Sequence, residues 1–152
     1  MSGWADFRQP FLHVNSFGQQ QNCYFCTVAA LHNQTTNELA KHTETMMQDT
    51  ATMDDALELF RDAGDVGIQA RRFATPAEAA AFVNQTVEIG HAVGLGYKRA
   101  NGTDHMVVLR RMLGLLDCVD YQAEWTAWGT APRMLPFPPE PGPILAYVVF
   151  HI

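Results

Sequence analysis

Several things are scarce in this chain, and each scarcity excludes a class of protein. No run of about 18 apolar residues occurs, so no membrane-spanning helix is expected. The opening MSGWADFRQPFLHV has neither a basic leading region nor a continuous apolar core, so no secretory signal is expected. That leaves a cytoplasmic protein or one delivered by a route that needs no such signal. Lys and Arg number 10 against 16 Asp and Glu, for a net charge of −6. The basic residues come as short pairs (Arg71-Arg72, Lys98-Arg99, Arg110-Arg111) rather than as one face. Phosphate backbones are bound through concentrated positive charge, so nucleic acid is not an expected partner. Three cysteines are too few, and odd in number, for a disulfide scaffold. Repeats are absent, and the only biased segment is the proline-rich PRMLPFPPEPGP, residues 132–143. It reads as a rigid surface connection into the last strand.

What is present is ordinary globular composition: 152 residues, 47% hydrophobic and 17% charged. This is enough for one domain with a core, taken as residues 1–152. The first half reads as helical. Thr35 to Glu38 has the form of a capping box before ELAKHTETMMQ. Thr52 and Asp55 open MDDALELFRDA, with Gly64 at its end. Thr75-Pro76-Ala77-Glu78 combines an N-cap, a proline at the first helical position and an acid in the first turn. Between these helices, IQARRF reads as a short strand. The second half reads as strands: HAVGLGY and HMVVL around an Asn101-Gly102 turn, then LLDCVDY, then ILAYVVFHI. Helices followed by an antiparallel sheet predict an α+β domain.

Two of the cysteines lie three positions apart in QQQNCYFCTVAAL, residues 19–31. Structural zinc needs four ligands, and the six histidines offer no paired spacing to complete Cys23 and Cys26. A thioredoxin-like redox pair would follow a strand, and none is legible before Cys23. Two cysteines packed as small apolar residues are the plain alternative. A nucleophilic thiol is the fourth reading. Cys26 stands just before the helical run TVAALHN, and a helix N-terminus favours a thiolate. Gln20, six positions upstream of Cys26, can donate with the cysteine backbone N–H to a developing oxyanion.

Such a thiol needs a base and a group that orients the base. His105 begins the strand HMVVL, and Asp120 ends LLDCVDY fifteen residues later. With a turn near Met112–Gly114 the two fall almost opposite each other on neighbouring strands, where the carboxylate can hold one ring nitrogen. Asp117 alternates out of phase with Asp120 and is the second choice, while Asp104 reads as a turn residue. His32, His91 and His151 read as structural or surface residues. Trp125 and Trp128 can line a cleft or pack in the core, and Met46, Met47 and Met53 read as core fillers.

Gln20, Cys26, His105 and Asp120, in that order on a helix-then-sheet chain, resemble the papain-like cysteine peptidases. In particular, Gln20, Cys26, Ala29-Ala30-Leu31, His105-Met106-Val107-Val108-Leu109 and Asp120 are similar to the peptidase domain of bacteriocin-exporting ABC transporters, which cleaves leader peptides after a double glycine. The chain departs from that pattern in three places. Thr27 stands where glycine usually follows the nucleophile, Phe25 stands where aspartate usually precedes it, and Tyr121-Gln122 replaces the proline after the acid. That last ending resembles the papain-fold toxin domains of bacterial polymorphic toxins, which also often carry an NC-x-x-C stretch, here Asn22 to Cys26. In that pattern Cys23 is an alternative nucleophile. Cys23 otherwise reads as a buried neighbour or as a partner that oxidises with Cys26.

The resemblance implies a papain-like fold and a thiol protease working without metal or organic cofactor. Cys26 would attack, His105 would carry the proton, Asp120 would orient it and Gln20 would hold the oxyanion. It also implies a bacterial antibacterial effector, delivered by a specialised secretion route into the cytoplasm of a target cell. Its substrate would be a protein, with a Gly-Gly site as the cleavage point the transporter-domain resemblance implies, and a cognate immunity protein would cover the cleft; neither nucleic acid nor membrane is an expected partner. Glutamine deamidation and peptidoglycan amide cleavage use the same machinery. A binding module on an inert scaffold, or a redox CxxC module, is the alternative of another class.

Overall fold

The fold was obtained as a computed structural model, which describes residues 3–4, 23–41, 53–100, 102–122, 125–126, 129–130, 132–140 and 144–152. Gln20, Met46, Met47, Thr52, Asn101 and Trp128 lie outside the described residues, as does the side chain of Trp125.

The first helix, α1, spans Cys23–Leu31, and every residue from Tyr24 to Leu31 is buried. A helix covered on all sides must be apolar all round. TVAAL and the aromatic pair Tyr24-Phe25 satisfy this. Thr27 is the polar exception, and its hydroxyl donates back to the Cys23 carbonyl at 2.9 Å. Thr35 caps the short helix α2, Thr36–Ala40, through the reciprocal bonds with Glu38 expected of a capping box.

Helix α3, Met53–Asp62, is amphipathic: Ala56, Leu59 and Phe60 are buried, while Met53 at its start is 40% exposed and fills no core. Beyond α3, Asp65 accepts from His32 Nε2 at 2.7 Å, tying the end of α1 to the end of α3. Strand β1, Gln69–Phe73, follows. Helix α4, Pro76–Thr86, begins at Thr75 as the sequence predicts, with the Thr75 hydroxyl accepting from the Glu78 N–H.

The remaining chain supplies strands β2 (Ala92–Arg99), β3 (Asp104–Met112), β4 (Leu115–Asp120), the short β5 (Trp125–Thr126) and β6 (Gly129–Thr130), β7 (Arg133–Pro136) and β8 (Ile144–His151). The main sheet is antiparallel and six-stranded, in the order β1-β8-β2-β3-β4-β7. Helices together with this sheet make the chain an α+β protein.

One feature departs from the sequence reading. The proline-rich segment is not only a connection, because Arg133–Pro136 pairs with Asp117–Asp120 as β7. Its place at the sheet edge explains how it tolerates a proline. The last strand, β8, lies inside the sheet. It inserts between β1 and β2, pairing with both.

Phe150 and His151 are consecutive in β8 and so point to opposite faces. Phe150 stacks on Phe60 of α3 with ring centroids 5.8 Å apart, and His151 meets Phe82 of α4 at 5.1 Å. Helices therefore cover both faces of the sheet at this strand. The approach is close on the α3 face. A Cβ at Gly94 would lie 3.1 Å from Met106 Cε and 3.2 Å from Phe150 Cβ, so the absence of a side chain there lets the aromatic layer settle onto β2. Helix α1 packs on β2 and β3, which brings its first turn to the start of β3.

Candidate active site

The β3–β4 hairpin builds the acid–base pair. The strands are joined by a tight turn at Leu113-Gly114, where Gly114 adopts φ +80°, the left-handed region that glycine enters without a Cβ penalty. The register runs from Met112↔Leu115 to Val108↔Val119. Extended one step, it sets Val107 across from Asp120, so His105 and Asp120 share a face and sit diagonally rather than directly opposite. His105 Nε2 donates to Asp120 Oδ2 at 2.8 Å. Both side chains are nearly buried, at 10% and 6% exposure.

The environment sets their charges. Burial opposes a cation at His105, but the hydrogen bond and negative charge of Asp120, together with the neighbouring Cys23 sulfur, outweigh it and raise the pKa to about 9. Burial likewise opposes a carboxylate at Asp120. The His105 hydrogen bond and charge, the Gln122 N–H (3.0 Å) and the more distant Arg133 guanidinium (3.7 Å) overcome this and hold the carboxyl below its ordinary value. Across β2 and β3, Tyr97 pairs with His105 and meets its ring edge-on at 5.7 Å, which restrains the plane of the imidazole. Arg99 lies over the Tyr97 ring at 5.7 Å and is bridged to Glu140 at 3.0 Å. Burial raises the Tyr97 pKa to about 12, so its ring is neutral at physiological pH.

The two cysteines of α1 occupy different surroundings. Cys26 is in the core at 0% exposure. Burial, and then the nearby Cys23 and Asp120, push its thiol well above the ordinary range. Cys23 is half-buried, and its thiol lies within hydrogen-bonding reach of the His105 ring. Because Nε2 is engaged by Asp120, Nδ1 is the ring nitrogen left to face a thiol. The sequence reading put the helix start behind Cys26. The helix instead starts at Cys23, so Cys23 holds the N-terminal position and Cys26 falls on the inward side of the first turn. The structure thus brings together Cys23, His105 and Asp120, with Cys26 behind them. The signal for Cys23 was in the sequence, in the Asn22-Cys23 pair.

The other candidates are engaged elsewhere. Asp117 takes two hydrogen bonds from Arg110, each 2.7 Å, on the other face of β4 from Asp120. Asp104 is exposed and pairs across the hairpin with Lys98. His91 precedes β2 and lies 3.3 Å from Glu88. Cys118 is buried, with its thiol pushed up by burial. Among the described residues, no group of three or more His, Cys, Asp or Glu side chains is placed to hold a metal ion. A cleft of about 250 Å³ lined by Asn84, Ile89, Arg111 and Leu116 sits at the opposite end of β3 from His105 and takes no part in this cluster. No described helix is long and apolar enough to cross a membrane. Comparison with family models, curated proteins and solved structures finds no match to this chain.

Proposed function

We propose that the chain is a papain-like cysteine hydrolase acting as a protease, with Cys23 rather than Cys26 as its nucleophile. The observation that carries this reading is the position of His105, held by a buried carboxylate on one side and reached by a half-buried thiol at a helix start on the other. A thiol, a base and an orienting acid in contact form the arrangement that acyl transfer requires. Cys26 lacks the access that an attacking sulfur needs.

In the proposed cycle the Cys23 proton already resides on His105 as a thiolate–imidazolium pair, and the sulfur adds to the substrate carbonyl. The negative oxygen that develops is met by backbone N–H groups at the start of α1, which have no acceptor within the helix. His105 then returns the proton to the leaving amine, and water releases the acyl group by the reverse path. Asp120 keeps Nε2 protonated and the ring aligned. Gln20 stands three positions before Cys23 rather than the six that suggested it for the oxyanion beside Cys26, so the backbone donors carry that part here. The papain-like ordering of these residues, and the toxin-like Asn22-Cys23 pair, support placing the chain among bacterial effectors that cut a protein inside a target cell and are opposed by an immunity protein.

The test is to express the chain and its Cys23→Ala form in a bacterium and compare protein termini. New termini with the unaltered chain alone are expected. A Gln-to-Glu mass change on a target without new termini would replace proteolysis by deamidation. Toxicity confined to periplasmic export would redirect the reading to the cell wall.

A further inference from the structure

Cys26 has no step in the proposed cycle, yet it sits one helical turn from the thiol that does. In an α-helix, residues three apart have Cα atoms about 5 Å from each other. That lies inside the span of roughly 4.4–6.8 Å that a disulfide bridges. Both cysteines are free thiols, and they are close enough for one to affect the charge of the other. Their exposures differ in a useful way. Cys23 is half-buried beside a base, whereas Cys26 is wholly enclosed by α1 and the sheet. An incoming reagent therefore meets Cys23 first, and Cys26 can react only with what is already attached to Cys23.

We propose that Cys23 and Cys26 form a reversible disulfide that switches the active site off under oxidising conditions. This rests on the reading of Cys23 as the nucleophile. The oxidant is a small-molecule disulfide of the glutathione class. With the Cys23 proton resting on His105, the Cys23 sulfur attacks one sulfur of the reagent. The reagent's S–S bond breaks, and one equivalent leaves as a thiol with that proton. The Cys26 sulfur then attacks the Cys23 sulfur of the mixed disulfide, and the second equivalent leaves as a thiol with the Cys26 proton. Two protein thiols are oxidised and one reagent disulfide is reduced to two thiols. A reducing cytosol reverses the exchange and frees Cys23. The enzyme is then silent outside a cell and active within one.

The experiment treats the reduced full chain with glutathione disulfide at neutral pH and follows intact mass, with tandem mass spectrometry to locate the change. The expected result is loss of two hydrogens with no retained glutathionyl group, a Cys23–Cys26 link, and alkylation of Cys23 by iodoacetamide slowed at least about tenfold until dithiothreitol is added. Cys26→Ala, with Cys26→Ser as a second variant should the first fail to fold, is expected to retain one glutathionyl group on Cys23. Cys23→Ala is expected to take up none. A wild-type chain that stays glutathionylated, remains unmodified or links through Cys118 would overturn the switch. His105-dependent alkylation of Cys23 without a disulfide removes the switch and leaves the hydrolase standing. A reversible disulfide, with cleavage in cells unchanged in Cys23→Ala, removes the hydrolase and leaves the disulfide.

Discussion

The behaviour of His105 is set by two neighbours acting against burial. An enclosed imidazole alone would lose its proton below the ordinary histidine value, so the rise to about 9 depends on Asp120 and Cys23. Substituting Asp120→Asn keeps the shape of the side chain and removes its charge. The His105 titration, followed by proton–nitrogen NMR, is expected to fall from about 9 toward or below 6.5. Hydrolysis is expected to drop by about 10⁴-fold, the scale seen when the orienting acid of a triad loses its charge. A titration midpoint unmoved by the substitution would mean that the carboxylate does not control the ring. His105 and Asp120 were legible in the sequence because a short hairpin links them, and alternation along two strands settles which side chains share a face. Which thiol faces His105 was less legible. A helix start is uncertain by a residue or two, more where its cap is not apparent, and a shift of three positions exchanges the inward and outward cysteines of the first turn.

Among the elements, the β3–β4 hairpin carries the geometry. Its register is pinned at one end by Gly114 in the left-handed region, and a one-residue slip would turn Asp120 to the opposite face from His105. Gly114→Val is expected to destabilise the fold by about 1–2 kcal/mol, read as a lower urea midpoint at unchanged slope. An unchanged midpoint would show that the turn tolerates the branched side chain and does not pin the register. The capped helices α2 and α4 were legible because their signals are local: Thr35 with Glu38, and Thr75 with Pro76 and Glu78. Strand β7 was hidden by its composition. Four residues in a proline-rich segment have no alternation to read, and only pairing with β4 makes them a strand.

At the scale of the whole molecule, the same ion pair links stability to pH. The folded pKa of His105 is raised, so its contribution is complete below about 6.5 and is lost as the pH climbs through about 9. The folded pKa of Asp120 is lowered, so its contribution is complete above about 3.9 and is lost as the pH falls through its depressed value. The pair thus supports the fold most between about pH 4 and 6.5. Urea midpoints measured across pH are expected to decline on both sides of that window, with both slopes flattened in Asp120→Asn. A wild-type profile that matches the variant would separate the pair from stability. The insertion of β8 between β1 and β2 was not legible, because it depends on contacts between the middle and the end of the chain that no local pattern encodes.

The assignment of Cys23 is tested most directly by a peptidyl fluoromethyl ketone, an electrophile that captures a thiol only when a neighbouring base activates it. The reduced chain is incubated with the reagent at neutral pH, and the adduct is located by tandem mass spectrometry in the wild type, Cys26→Ala and His105→Ala. Adduct on Cys23 is expected in the first two proteins and loss of it in the third. Adduct on Cys26, labelling spread over all three cysteines, or labelling of Cys23 that persists without His105 would contradict a Cys23–His105–Asp120 active site.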